Sequence, residues 1–491
     1  MSRPNILWMV ADHQAFANRN VDPEAFPLQT RLRRLGTELT RAYTVLPICS
    51  PARASMLTGL YPHTHGLTEN DGRFGGRAEL DAGDHLIQQD FAAAGYRCGW
   101  FGKWHLNHET SATDHGFEGF SLPGYGYPYG TSEYREYLAR YHDGPLWVEI
   151  ESSGESKRAP GDRVDLTAEN SWYDYEAGTA NIHGPQEVHE AFFLADMAAD
   201  WIEGLGKDEP FFLRVDTWGP HPPYTIPTGF DSPLKDSTGS LAENLNHDLS
   251  TRPQHHADYR NQWRKELRED AFDWALLSRR AAEHCILVEH ALTGLLDHLE
   301  ATGKLENTIV VYCADHGDAV ASNGGVMNKG SLMVEETMRI PLLLAGPCIP
   351  GGRQSDTLIG NVDLAPTLLE LAGVKTGQVM QGRSAAGDLR GTAQAPFRER
   401  LMVAHYGLHV PILQRGLYWK NLKYVIQPDG FEELYDLLSD PCEMTNLALG
   451  DPRPPDLAVM RRYLSEEMFM LQDEDPRLRG LEKVLRGSAL N

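Results

Sequence analysis

Nowhere in this chain do about twenty uncharged apolar residues run together, the length a bilayer-spanning helix needs, so no membrane span is expected. Positive charge is scarce as well: 45 Lys and Arg stand against 69 Asp and Glu, a net charge of −24. That balance argues against a nucleic-acid partner, which needs clustered cations on phosphate, and leaves room only for small anions held by a local group of cations. Cysteine is thin too, with six residues from Cys49 to Cys442 and none of the close pairing of zinc or redox motifs. Cys98, Cys285 and Cys313 lie inside apolar segments and read as core thiols. The run Ile6–Val10 is too short for a secretory h-region and no small-residue cleavage site follows it, so a soluble, cytoplasmic protein is expected. Internal repeats and low-complexity segments are lacking.

What is present is length: 491 residues, 41% of them apolar, suit a large domain with a smaller companion. Strand-length apolar runs alternate with amphipathic stretches up to about residue 350, the pattern of a mostly parallel sheet covered by helices, hence an α/β fold. Candidate strands are Asn5–Ala11, Tyr96–Phe101, Pro210–Thr217, Thr308–Ala314 and Ile340–Ala345. Cys285, Val288, Leu292, Leu295, Leu296 and Leu299 share one face of a crossover helix. Residues 107–190, rich in Gly, Tyr and Pro, and the polar stretch 225–270 read as excursions that shape a pocket. After about Ala395 short strands around Leu401–Tyr406, Gly416–Trp419, Leu422–Ile426 and Glu433–Leu437 indicate a small antiparallel sheet, with a helix near Leu457–Leu471. The expected division is therefore 1–395 and 396–491, with the tail from Asp473 a candidate intersubunit arm of a homo-oligomer.

Polar residues gather just past the ends of these strands, where open α/β sheets bind ligands. Asp12 and His13 follow the first strand, Asp315 and His316 a later one, and together they suit one divalent cation. Lys103, His105, His221 and Lys329 occupy similar places and suit a tetrahedral anion that needs positive donors. Aromatic residues nearby, Tyr125, Tyr127, Tyr129, Trp218 and Tyr224, could stack on a sugar or aryl ring.

The stretch Cys49-Ser-Pro-Ala-Arg-Ala-Ser-Met-Leu-Thr-Gly59 resembles the formylglycine-forming motif of the type I sulfatases. The resemblance extends in order along nearly the whole chain. It takes in Pro4-Asn-Ile-Leu7 with Asp12, Gly102-Lys-Trp-His-Leu106, Gly219-Pro-His-Pro-Pro223, Ala314-Asp-His-Gly317, Lys329 and Glu433-Leu-Tyr-Asp-Leu437. It implies an alkaline-phosphatase-like sandwich with a small C-terminal domain, and hydrolysis of a sulfate monoester of a carbohydrate or a small aryl or alkyl alcohol. It also implies oxidation of Cys49 to formylglycine by a maturation enzyme, and one divalent cation, calcium first with manganese or magnesium as alternatives. The cation would be held by Asp12, His13, Asp315, His316 and residue 49. The family pattern gives Arg53 and Lys103 the ionised nucleophile to stabilise, and His221 with Lys329 the leaving alcohol. His105 would take the proton that releases sulfate, and Asn70 would hydrogen-bond the sulfate or the leaving group. His13 and His316 depart from the family's usual Asp and Asn, which bears on metal identity because calcium prefers oxygen ligands. Phosphonate or phosphate ester hydrolysis by the same site is the alternative, although phosphonate hydrolases of this kind carry Tyr and Thr where this chain has Lys103 and His105. With Cys49 unconverted the chain would be an anion-binding protein.

Overall fold

A run such as Ile6–Val10 offers no polar face to water, so it is stable only between two packed layers, and there the chain places it. The computed structural model describes residues 3–14, 21–152, 159–168, 178–266, 273–408, 410–481 and 485. In chain order the strands are β1 (Asn5–Ala11), β2 (Gly36–Tyr43), β3 (Arg97–Lys103), β4 (Glu118–Leu122), β5 (Trp147–Ser152), β6 (Arg163–Asp165), β7 (Thr179–Ile182) and β8 (Phe211–Asp216). There follow β9 (Tyr224–Pro227), β10 (Thr308–Ala314), β11 (Leu342–Ala345), β12 (Arg353–Gly360), β13 (Arg400–Gly407), β14 (Pro411–Trp419), β15 (Leu422–Ile426) and β16 (Glu432–Asp436).

The large sheet has the order β12-β2-β11-β10-β1-β8-β3-β4. Only β11 runs against its neighbours, β10 and β2; every other pair is parallel. Alternation along β1 sends Leu7, Met9 and Ala11 into one core, under the helices Glu190–Glu203 and Trp274–Ala301. Ile6, Trp8 and Val10 enter the other, under the helices Cys49–Thr58, Ile87–Ala93 and Leu364–Ala372. The helix Trp274–Ala301 carries most of the expected stripe, with Val288, Leu292, Leu295, Leu296 and Leu299 buried on the sheet, whereas Cys285 is buried in a separate cluster with Phe26, Ile226 and Phe230.

Strands β13 to β16 form the small antiparallel sheet in chain order. Its apolar face and the helix Asp456–Met470 share one core with Tyr43, Val45 and Tyr61 of the larger unit. The first excursion is not merely loop. Strands β5, β6, β7 and β9 make a third sheet in the order β6-β5-β7-β9, and parts of that excursion, 153–158 and 169–177, lie outside the described residues. Residues 267–272 of and beyond the second excursion, and 482–484 and 486–491 of the tail, also lie outside them. All six cysteines are free thiols, Cys98, Cys285 and Cys313 buried as expected. Among the described residues no helix is long and apolar enough to cross a membrane.

Two glycines give opposite stability predictions. Gly102 has φ +116°, and a Cβ there would lie 1.9 Å from the Asp216 carbonyl oxygen, so β3 and β8 can approach only with glycine at this point. Gly294 lies inside a helix with nothing within 4 Å of an added Cβ. Gly102→Ala is expected to lose roughly 2 kcal/mol or more, and Gly294→Ala to gain about 0.5–1 kcal/mol. Denaturant midpoints of the two variants check both signs.

Candidate active site

The adjacent strands β10, β1, β8 and β3 end on one edge of the sheet, and each delivers a charged group at or just past its last residue: Asp315, Asp12, Asp216 and Lys103. The helix Cys49–Thr58 brings Cys49 and Arg53 to that edge. Ile48 precedes it in extended conformation, and Pro51 falls in its first turn, where a missing amide hydrogen breaks no helical bond. Gly59 ends it in the left-handed region at φ +67°. Asn70 Oδ1 accepts the Ser50 amide at 3.1 Å, and Ser50 Oγ donates to the His105 carbonyl at 2.6 Å, which ties the helix start to the loop after β3.

Arg53 is buried among acids. Its Nε donates to Asp315 Oδ2 at 2.9 Å, and one terminal nitrogen donates to Asp216 Oδ2 at 2.8 Å and to the Lys103 carbonyl at 3.0 Å. The other terminal nitrogen lies 3.7 Å from Asp12 Oδ1. Asp216 also accepts two bonds from Arg214, at 2.9 and 2.6 Å, and the Arg214 guanidinium sits 4.3 and 4.4 Å over the rings of Trp8 and Trp100. Sequence reasoning passed over Asp216. The signal available was the pair Arg214 and Asp216 inside an otherwise apolar strand, where unpaired charges would be prohibitive.

One ligand atom from each of Asp12, Cys49, Asp315 and His316 lies within 4.8 Å of the other three, and all four residues are buried. Asp12 Oδ2 accepts Lys103 Nζ at 2.5 Å, whereas Asp12 Oδ1 has no hydrogen-bond donor among the described residues. A buried, undonated carboxylate oxygen facing a second carboxylate and an imidazole fits a divalent cation. The Nδ1 of His316 donates to the Gly317 carbonyl at 2.9 Å, so Nε2, 3.2 Å from Cys49 Sγ, is the nitrogen that can offer a lone pair to a cation. Burial lowers the pKa of this ring, but Asp315 and Cys49 more than offset it and raise it above its ordinary value. His13 stands beside this group rather than in it. Its amide donates to Asp315 Oδ1 at 3.0 Å, while its ring lies 4.6 Å from the His316 ring and 4.7 Å from that of His221, with neither ring nitrogen hydrogen-bonded among the described residues.

Around residue 49 the field favours negative charge. Burial pushes the Cys49 thiol up, but Lys103, Lys329 and His316 more than offset it and hold the thiol well below its ordinary range. Burial raises Asp12 to about 7 against the pull of Lys103. Asp315 is pushed up by burial and pulled further down by His316 and Arg53, ending below the usual carboxylate range. His105, hydrogen-bonded to Cys49, is lowered to about 4, chiefly by burial and then by Lys103. Burial, then Lys329 and Lys103, lower His221 well below its ordinary value, and its Nδ1 lies 2.6 Å from the Pro222 carbonyl, leaving Nε2 for chemistry. Lys329 is buried on the same side, with Nζ 3.4 Å from Asn328 Oδ1.

Three of the five aromatic residues near the site are core, while Tyr125 and Tyr127 are half-buried. Tyr129, Trp218 and Tyr224 are core residues, at most 2% exposed. Tyr125 holds the Lys103 ammonium 4.2 Å from its ring centre and meets the rings of His105 and His221 edge-on at 5.2 and 5.6 Å. It braces the cations of the site.

A parallel sheet with carboxylates, imidazoles and buried ammonium groups at its strand ends, around a helix-initial cysteine, defines a hydrolase for esters of tetrahedral anions. A family model described as sulfatase matches residues 4–374, and one described as N-sulphoglucosamine sulphohydrolase, C-terminal, matches residues 325–473. The N-acetylglucosamine-6-O-sulfatase of Bacteroides thetaiotaomicron is 24% identical over 512 residues, covering 96% of this chain and 88% of that protein. The structure of BT4656 in complex with its substrate D-glucosamine-2-N,6-O-disulfate has a TM-score of 0.71 at 21% identity, covering 97% of this chain and all of the other. The phosphonate monoester hydrolase of Silicibacter pomeroyi has a TM-score of 0.73 at 18% identity, with 97% of each chain covered. This chain belongs to the sulfatase family, and it has the family's alkaline-phosphatase-like fold. It is a sulfuric ester hydrolase.

The neutral buried imidazoles make its stability depend on pH. Burial lowers His65, His189 and His405 to about 3 and His105 to about 4. The unfolded chain takes up protons near pH 6.5 and the folded one only near those lower values, so stability falls as pH drops from about 6.5 toward about 4. Each such histidine contributes up to ~1.4 kcal/mol per pH unit in that window. Denaturant titrations at pH 7, 5.5 and 4.5 measure the slope, and a flat profile would contradict the buried, neutral state.

Proposed function

We propose that this sulfatase uses residue 49 as a formylglycine, with one calcium ion held by Asp12, Asp315, His316 and an oxygen of residue 49, to cleave the sulfate ester of a saccharide. The observation that carries the site assignment is the group of four buried ligand atoms at the start of the Cys49 helix, ringed by Lys103, Lys329, His105 and His221. The ion would neutralise sulfate oxygens and acidify the attacking hydroxyl. His13, whose ring is not among the four, leaves the set dominated by oxygen, which supports calcium.

The hydrated aldehyde carries two hydroxyls on one carbon. Arg53 and Lys103 supply positive charge where the first becomes ionised and attacks sulfur. The S–O ester bond then breaks; His221, whose Nε2 takes up a proton once the anionic sulfate is bound beside it, passes that proton to the departing alcohol while Lys329 offsets the developing charge. His105, neutral above about pH 4, takes the proton of the second hydroxyl, so that sulfate leaves and the aldehyde returns without attack by water. Asn70 has its carbonyl oxygen on the Ser50 amide, which leaves its amide group to bind the sulfate. A saccharide substrate is supported by the C-terminal match to the N-sulphoglucosamine sulphohydrolase model and by relatives that act on sulfated glucosamine.

The tryptic peptide Ala42–Arg53 from native protein is expected to show the mass of the aldehyde or its hydrate in place of the thiol. Cys49→Ala should fold as the parent does and lose at least ~10³-fold in kcat on a sulfated glucosamine. An intact thiol in active protein would sink the mechanism.

A further inference from the structure

Glu190 is fully buried, opens the helix Glu190–Glu203, and has no part in the chemistry above. A carboxyl so placed is costly unless its hydrogen bonds serve a purpose. Its Oε1 accepts the Gly219 amide at 2.8 Å, and the same carboxyl takes the Trp218 amide. These amides begin the turn that presents His221. Among the described residues no cation offsets the burial of Glu190, and its carboxyl is pushed up to about 8.

The turn is held from two further sides. Its carbonyl at Gly219 accepts Thr217 Oγ1 at 2.7 Å and the Asp12 amide at 3.2 Å. Its face rests on a buried imidazole pair, His189 and His284, joined Nε2 to Nε2 at 2.9 Å. Because His189 Nδ1 accepts the Ala191 amide at 3.3 Å, the shared proton belongs to His189 Nε2 and His284 is the acceptor. Gly219 lies so close that a Cβ there would stand 2.8 Å from His284 Nε2 and 2.8 Å from Val288 Cγ2. The carbonyl end of the turn thus has supports other than Glu190. The entry to the turn, at the Trp218 and Gly219 amides, depends on Glu190 and on the imidazole pair, and it reaches His221 through the His221 amide, which donates to the Trp218 carbonyl at 3.2 Å.

We infer that Glu190 is a positioning residue for His221, holding the turn from Trp218 to His221 so that the imidazole meets the ester oxygen of the leaving alcohol. This rests on His221 being the acid of the reaction. Loss of Glu190 should therefore matter in proportion to how much the leaving group needs a proton. An alkyl or sugar alkoxide needs one, and an activated phenolate does not.

The experiment compares kcat on a sugar sulfate and on p-nitrophenyl sulfate. Glu190→Ala is expected to lower the first about 100-fold and the second less than about threefold. Glu190→Gln, which keeps an acceptor for the Gly219 amide, is expected to restore most of the first. Gly219→Ala, which pushes the turn off the imidazole pair, should repeat the selective loss, and it decides the matter if Glu190→Ala does not fold. Equal losses on both esters, or none on either, would overturn the inference. His221→Ala separates the two levels: equal losses there refute the role of His221, while a selective loss there without one at Glu190 refutes only the positioning role.

Discussion

One guanidinium organises this molecule. Arg53 is removed from water entirely and shared among Asp12, Asp216 and Asp315, which come from three different strands. Stripping that many charges of water is expensive, and only near-complete mutual satisfaction offsets it. The helix that carries Cys49 therefore has one depth and one rotation against the sheet at which its fifth residue finds its partners. Arg214, clamped between Trp8 and Trp100, keeps Asp216 from turning away. The nucleophile's position follows from an ion network set in the core beneath it.

Much of this was legible beforehand, for physical reasons that also mark where legibility ended. β1 and β10 coincide with the sequence-derived bounds because both faces of each are apolar, so composition alone bounds them. β2, with its Thr, Glu and Arg, and β12, half exposed at the sheet edge, lack that signal and went unread. In the small β6-β5-β7-β9 sheet, three strands, one only three residues long, lie inside the Gly- and Tyr-rich stretch and the fourth, of four residues, lies beyond it, all too short for periodicity to resolve. In the site, residues at strand ends in a recognisable motif were found. Asp216 was not, because its role depends on Arg53 reaching it across the fold, and the neighbouring Arg214 alone does not reveal that. The sequence leaves Tyr125 open between stacking on a substrate ring and packing within its own loop, and its contact with Lys103 depends on the fold.

The antiparallel sheet at the C-terminus is a distinct topological unit without a core of its own. Leu417, Tyr418, Tyr424 and Leu434 pack with Tyr43, Val45 and Tyr61, the last two flanking the segment that holds Cys49. Beneath them Lys423 is buried with Glu443 at 2.8 Å and Glu335 at 3.8 Å, so the closing sheet is bound to the larger unit by charge as well as by apolar contact. The wall of the site and the sheet are one packed body, and the sheet is a support for the catalytic helix.

The placement of Arg53, Lys103 and Lys329 also has a consequence for encounter. All three cations are withdrawn from the surface, and the exterior they leave behind belongs to a chain of net charge −24. An anionic ester drifting in from solution thus meets repulsion first and attraction only inside the mouth, the reverse of an electrostatically steered enzyme. Mobile ions shrink the outer field over about 10 Å at 0.1 M while leaving the sheltered cations almost untouched. Added salt should then hasten capture of the substrate instead of slowing it, and selectivity for sulfate esters is exercised only after the approach is complete.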